Sequence, residues 1–180
     1  MIEQKVFIGL VSNPAEGEWV YLPADKEEIE EIINRIAPNG KEVFIPDSEG
    51  PINGTFYDIQ KLNEVIDWAN LKELDEDELE ALFEYFDEDL DSLYNYFEHD
   101  MPELRIWDLR NYFPNYNYAD KSEEQIWADL AEVWVDEYGY LGDVNDQVKL
   151  HLNYHSVAEQ IRTEYDIYMA SNGIIIECIE

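Results

Sequence analysis

Basic residues are what this chain of 180 residues has little of: 11 lysines and arginines stand against 43 aspartates and glutamates, a formal net charge of −32. Proteins hold nucleic-acid phosphates with lysine and arginine, so direct binding of DNA or RNA is disfavoured. An anionic membrane surface would repel the chain as well. Cysteine is almost absent. With Cys178 alone, no intrachain disulfide can form, and an intracellular, cytoplasmic home is expected. The N-terminal MIEQKVFIGL has neither a basic n-region nor a long apolar run, so no secretory leader is expected. No apolar run approaches the ~18 residues of a membrane span. P-loop, GxGxxG and GxSxG motifs are missing too. Carboxylate pairs for acid–base work carry no information in a chain this acidic. No catalytic residue, cofactor or metal is therefore nominated, and the chain is expected not to be an enzyme.

What is present argues for a folded protein. Acid-rich chains stay disordered when they are also poor in apolar residues. Here 46% of residues are hydrophobic and 14% aromatic, enough to fill one core or several small ones. Folding then works against self-repulsion, which suggests that the charge has a use. Cationic surfaces are its natural partners.

The chain reads as an α+β protein in three parts. Residues 1–57 read as a ββαβ module: a strand over Lys5–Val11, turn chemistry over Ser12–Gly17, a return strand over Glu18–Leu22, a helix and a strand over Glu42–Pro46. In the helix, Asp25 and Glu28 have the spacing of a capping box, Ile29, Ile32, Ile33 and Ile36 form one stripe, and Pro38-Asn39-Gly40 stops it. Residues 58–102 read as a helical cluster. Asp58–Ala69 forms its first helix, Asp75 with Glu78 caps a second, and Asp87 or Asp89 starts a third if the chain breaks there. Residues 103–180 begin ambiguously, since ELRIWDL fits a strand or a helical turn and NYFPNYNY is turn-rich. A helix capped by Ser122 and Gln125 follows, buried through Ile126, Trp127, Leu130, Val133 and Trp134. Short helices over Gln147–Leu152 and Ser156–Arg162 precede a hairpin with Ser171-Asn172-Gly173 as its turn.

The stretch Leu71–Glu103 concentrates the charge; its only basic residue is Lys72. Leu79, Leu82, Phe83, Phe86, Leu90, Leu93 and Phe97 fall at helical spacing in a stripe ~100° wide. On one continuous helix, Glu80, Glu84, Asp87, Glu88, Asp91 and Glu98 would share an outer flank. Imitation of a nucleic acid, a metal, or plain solvation would each accommodate that much negative charge. Asp87, Asp89, Asp91, Asn95 and Glu98 match an EF-hand-like spacing, but Ser92 stands where the sharp turn wants glycine. His151 and His155, with Glu159, have a spacing that can hold zinc on a helix. Cys178 reads as buried in an apolar strand. Trp19, Trp68, Trp107, Trp127 and Trp134 read as core or dimer contacts, because base-stacking platforms need flanking cations.

Several segments resemble the ArdA family of antirestriction proteins. They are Tyr138-Gly139-Tyr140-Leu141-Gly142-Asp143-Val144, Leu152-Asn153-Tyr154, Ala158-Glu159-Gln160-Ile161-Arg162 and the Tyr-rich hairpin. The strand Val6–Gly9, Gly17-Glu18-Trp19 leading to Leu22-Pro23, and the Leu- and Glu-rich middle fit as well. The order is kept over nearly the full length. His155, where an acid is expected, and the lack of proline near Asn145 depart from the pattern. The resemblance implies a non-enzymatic DNA mimic of mobile elements: an elongated, curved homodimer of three-domain subunits that blocks the DNA groove of type I restriction–modification enzymes.

On that reading the mimicking surface comprises Glu73, Asp75, Glu76, Asp77, Glu80, Glu84, Asp87, Glu88, Asp91 and Glu98, continued by Glu123, Glu124, Asp129 and Glu132. Glu27, Glu30 and Glu31 extend it. The dimer contact is placed near Tyr140, Leu141 and Val144, where a local turn is the competing reading. Duplex DNA carries one charge per ~1.7 Å, so 32 charges correspond to roughly 54 Å of duplex. The other readings are an acidic module for a different basic partner, an acid-rich protein of a high-salt cell, and a Ca²⁺-binding protein.

Overall fold

A computed structural model describes residues 1–99 and 103–179. The chain is α+β, with two three-stranded antiparallel sheets and helices both between them and within each in sequence. It divides into two compact units, Met1–Met101 and Pro102–Glu180. The expected end of the helical cluster near Met101-Pro102 lies outside the described residues.

In the first unit, β1 (Gln4–Leu10) is the central strand, flanked by β2 (Asn13–Leu22) and β3 (Val43–Glu49). Val6, Ile8 and Leu10 are buried at period two, as a half-buried strand requires. The stretch expected as a turn, Ser12–Gly17, belongs mostly to β2. Leu10 pairs with Asn13 and Gly9 with Gly17, so the chain reverses at Val11-Ser12 and the ladder bulges beyond it. Gly17 is required there, since a Cβ on it would meet the Ile8 carbonyl oxygen at 2.0 Å. Asn-Pro reads as a turn locally, but Pro14 is tolerated because β2 lies at the sheet edge.

Helix α1 (Lys26–Ile36) buries Ile29 and Ile32. Its expected capping box does not form: Asp25 occupies the N-cap but its side chain makes no capping bond. Helix α2 (Ile59–Leu71) is capped by Asp58, which accepts from the Lys61 N–H at 2.9 Å. Two amides tie α2 to the sheet module. Asn63 accepts from the Ala24 N–H at 2.8 Å and donates to its carbonyl at 3.0 Å. Asn70 does the same with Ile2, at 2.6 and 3.0 Å. The ββαβ module and the helices after it thereby fall within one compact unit.

Helices α3 (Glu76–Tyr85) and α4 (Leu90–His99) complete that unit. The capping box of Asp75 and Glu78 forms as expected, at 2.8 and 2.9 Å. Leu79, Leu82 and Leu93 are fully buried, each contributing ~1.5–3 kcal/mol relative to exposure.

The second unit opens with β4 (Glu103–Trp107), which settles the ambiguous ELRIW as a strand because it pairs with β6 (Ile175–Ile179). The order is β4-β6-β5, with β5 at Ile167–Met169. The aromatic segment after β4 folds into two short 3-10 turns, at Leu109–Asn111 and Tyr118–Asp120. Helix α5 (Glu123–Glu137) carries the expected Ser122–Gln125 capping box. It packs with α7 (Tyr154–Glu164) over a core of Trp107, Leu109, Ile126, Trp127, Leu130, Trp134, Ile161 and Ile175. The short α6 (Asp146–Lys149) lies between them in sequence. One expectation fails here. Cys178 is half-buried on β6 rather than enclosed. Its neighbour Glu177 is the buried polar residue of that strand. In the first unit, Trp19 is 40% exposed on β2 and is not a core residue.

Candidate functional site

The apolar stripe of the acidic stretch is real, but its outer flank is not continuous. Helix α3 ends at Tyr85. Asp87 and Glu88 then both adopt left-handed backbone, with φ of 55° and 57°. The Glu88 N–H reaches back to the Phe83 carbonyl at 2.9 Å, and the Asp89 N–H to that of Phe86 at 3.0 Å. Asp89 caps the next helix, accepting from the Ser92 N–H at 2.9 Å and the Ser92 hydroxyl at 2.6 Å. Those bonds hold its carboxyl below the usual range. Glu80 and Glu84 thus belong to α3, Asp91 and Glu98 to α4, and Asp87 and Glu88 project from the turn between them.

That turn also removes the EF-hand geometry. Asp91, Asn95 and Glu98 lie on a helix instead of wrapping a loop, and Asp89 is committed to its cap. The proposed zinc pair fails for a similar reason: His151 lies in a turn ahead of α7, while His155 and Glu159 lie on it. Among the described residues, no group of three or more His, Cys, Asp or Glu is placed to hold a metal ion.

Of the fourteen acids assigned to the surface, Glu73, Asp75, Glu76, Glu80, Asp87, Glu88, Asp91, Glu98, Glu123 and Glu124 are exposed. Asp77, Glu84, Asp129 and Glu132 are half-buried. Their local commitments differ. Asp91 meets Lys61 at 2.5 Å. Asp129 accepts from Lys121 at 3.0 Å and from the Tyr116 hydroxyl at 2.7 Å. Glu123 accepts from the Trp127 indole at 3.2 Å. Burial, and then Asp136 and Asp129, push the Glu132 carboxyl up. Glu76, Glu80, Asp87 and Glu88 have no lysine or arginine at ion-pair distance among the described residues.

The bases explain why so much charge stays unopposed. Among the described residues, seven of the eleven are engaged by carboxylates of this chain. Lys5 pairs with Glu49, Arg35 with Glu18, Lys61 with Asp91 and Arg105 with Glu177. Arg110 pairs with Asp108, Lys121 with Asp129 and Lys149 with Asp136. Lys72 and Arg162 lie over the rings of Tyr96 and Trp127, at 6.0 and 4.8 Å from the centroids. Lys5, Lys61, Arg105, Arg110 and Lys121 combine an ion pair with a ring contact. Lys26 and Lys41 alone make neither contact among the described residues. Aromatic faces attract cations, so the rings help to hold the bases down while Glu76, Glu80, Asp87 and Glu88 face water.

Part of this sequestration was invisible in the sequence, because some partners lie far apart in the chain: 44 residues for Lys5–Glu49 and 30 for Lys61–Asp91. Sequence reasoning also missed Glu64 and Asp67 of α2. With Asp25 and Glu28 they line one groove in the first unit. No local spacing links α2 to the start of α1. Glu27, Glu30 and Glu31 are exposed on α1.

The residues assigned to a dimer contact do not behave alike. Tyr140 packs edge-on against Trp134, with centroids 6.0 Å apart, and donates to Glu164 at 2.7 Å. Burial and that carboxylate push its hydroxyl up to about 12, so it remains a donor. Val144 is half-buried, and Leu141 is exposed. Val148 and Leu150, further along, are exposed as well.

The family model for the antirestriction protein ArdA matches residues 14–176. The chain belongs to the ArdA family of antirestriction proteins. That match takes in α1, the acidic helices, both members of the α5–α7 pair and the first two residues of β6, so the ArdA assignment rests on both units. Comparison with curated proteins finds no match. Among the described residues of this ArdA chain, no helix is long and apolar enough to cross a membrane.

Proposed function

We propose that this ArdA-family chain inhibits type I restriction–modification enzymes by occupying their DNA-binding groove in place of the duplex, acting by occupancy alone. The supporting observation is the disposition of charge. Seven bases are held in ion pairs and two more on aromatic rings, while Glu76, Glu80, Asp87, Glu88 and their neighbours face solvent. A groove built for phosphates presents lysine and arginine, and carboxylates on folded helices meet them with little ordering cost. In this reading the molecule works as a homodimer of three-domain subunits. Its N-terminal, central and C-terminal parts each carry a share of one negative track, and the dimer contact includes Leu141 and Val144.

The test is ATP-dependent cleavage of unmodified plasmid by a purified type I enzyme. The chain in excess should suppress cleavage, and raising the plasmid concentration should restore it. Undiminished cleavage at low salt overturns the reading for that enzyme.

A further inference from the structure

One cavity of the second unit is unlike the rest of this acidic molecule. It has a volume of about 140 Å³ and is walled by Trp107, Trp134, Tyr138, Tyr140 and Tyr165, with Arg105 and Glu177 completing the lining. The rings stand across one another in the manner of a box. Trp107 and Tyr138 are 4.8 Å apart at 78°, Trp134 and Tyr165 are 4.7 Å apart at 89°, and Tyr140 and Tyr165 are 6.1 Å apart at 63°. Tyr138 and Tyr165 are 53% and 41% exposed, so the box has an open side.

Its polar groups are few. The Glu177 side chain is 8% exposed and accepts from the Trp107 indole at 3.0 Å. Arg105 approaches the same oxygen at a long 3.4 Å, with its own side chain 47% exposed. Arg105 also lies over the Trp107 ring, 5.6 Å from its centroid. The Trp134 indole N–H is buried and has no acceptor among the described residues. Packing alone does not call for a buried carboxylate among five rings beside an unsatisfied donor.

We propose that this aromatic box is a socket for one guanidinium or ammonium side chain of the protein partner. Ring faces carry negative electrostatic potential and attract cations. Glu177 supplies a charge at the wall, and Arg105 shows that a guanidinium fits against it. A cation borne on a polypeptide also brings carbonyl oxygens, acceptors of the kind that the Trp134 N–H lacks. The inference rests on the reading that the partner presents cations. It adds a single shaped contact to a surface otherwise described by summed charge.

Calorimetry with N-acetyl-arginine amide on the full chain tests the socket directly, with the neutral isostere N-acetyl-citrulline amide as control. Weak saturable binding is expected for the arginine derivative and none for the citrulline one. Tyr138→Ala with Tyr165→Ala should weaken binding by about tenfold. Glu177→Gln, which keeps an acceptor for Trp107, should weaken it too, whereas Arg105→Gln should strengthen it by freeing Glu177. The Tyr138→Ala/Tyr165→Ala variant should also inhibit a type I enzyme less well at an unchanged oligomeric state. Absence of arginine-specific binding, or an Arg105→Gln variant that binds no better, overturns the socket. A variant with altered oligomeric state and undiminished probe binding assigns the face to a second copy and overturns it as well. A wild-type chain that binds the probe yet fails to inhibit any enzyme leaves the socket standing and removes the groove-occupancy reading.

Discussion

Neutralising Glu76, Glu80, Asp87 and Glu88 together, as E76Q, E80Q, D87N and E88Q, separates contact by carboxylates from mere acidity. All four are exposed. Their removal takes the formal charge from −32 to −28, since −32 + 4 = −28, and leaves seven-eighths of it in place. An exposed ion pair is worth about 0.2–1 kcal/mol, so the four together should cost about 2 kcal/mol of binding. That is roughly a 30-fold rise in Kd. Each single change should raise Kd by no more than about fivefold. The control is Lys61→Gln with Asp91→Asn. It deletes a carboxylate already held by a lysine at 2.5 Å and leaves net charge unchanged, so Kd should stay within about twofold. Isothermal titration against a type I methyltransferase core, at two salt concentrations, reads all of these. The fourfold variant should also show a shallower salt dependence, because exposed charges are screened beyond ~10 Å at 0.1 M. A fourfold variant that binds like wild type refutes the reasoning, as does one single change that carries the whole loss.

Three further outcomes follow from the geometry. Glu88→Gly should stabilise the first unit by about 1 kcal/mol, because glycine occupies a φ of 57° without the penalty of a Cβ; thermal unfolding reads it, and a lowered Tm contradicts it. Burial and neighbouring acids raise the Glu132 pKa in the folded state, so its contribution is full below the unfolded value and is lost as pH rises through the folded one. Glu132→Gln should therefore raise Tm at pH 7, and the gain should shrink towards pH 4; a gain that is flat with pH contradicts it. Asp108 is 5% exposed and accepts from the Arg110 main chain and guanidinium and from the Tyr118 hydroxyl. Asp108→Ala should destabilise the second unit by about 3 kcal/mol, read by denaturant unfolding, and a loss below about 1 kcal/mol would show that the cluster is dispensable.

How much of this was legible in the sequence depended on how far each signal reached. Capping at Asp75–Glu78 and Ser122–Gln125 is written within four residues and came out as expected. The apolar stripe of α5 is written within one helix, and its named residues are buried. Signals that depend on a distant partner were misread or unreadable. ELRIW becomes a strand only because Ile176 and its neighbours pair with it some 70 residues later. The Asn13–Gly17 stretch joins β2 although its residues favour a turn, because β1 supplies the ladder. The same limit applied to the charge. The acids of the surface could be named one by one, but a sequence does not show that Lys61 neutralises Asp91 while Glu80 is left to water. The aromatic box, drawn from β4, α5, the segment after it, the end of α7 and β6, had no local signature at all.

The most direct measurement of the central claim is displacement of a fluorescently labelled target duplex from a purified type I methyltransferase core, followed by anisotropy as the chain is added. Groove occupancy requires full displacement of the duplex, with an apparent affinity for the chain that falls in proportion to duplex concentration and weakens steeply with salt. Retention of the duplex in a ternary complex, with the chain bound and anisotropy undiminished at low salt, would contradict it.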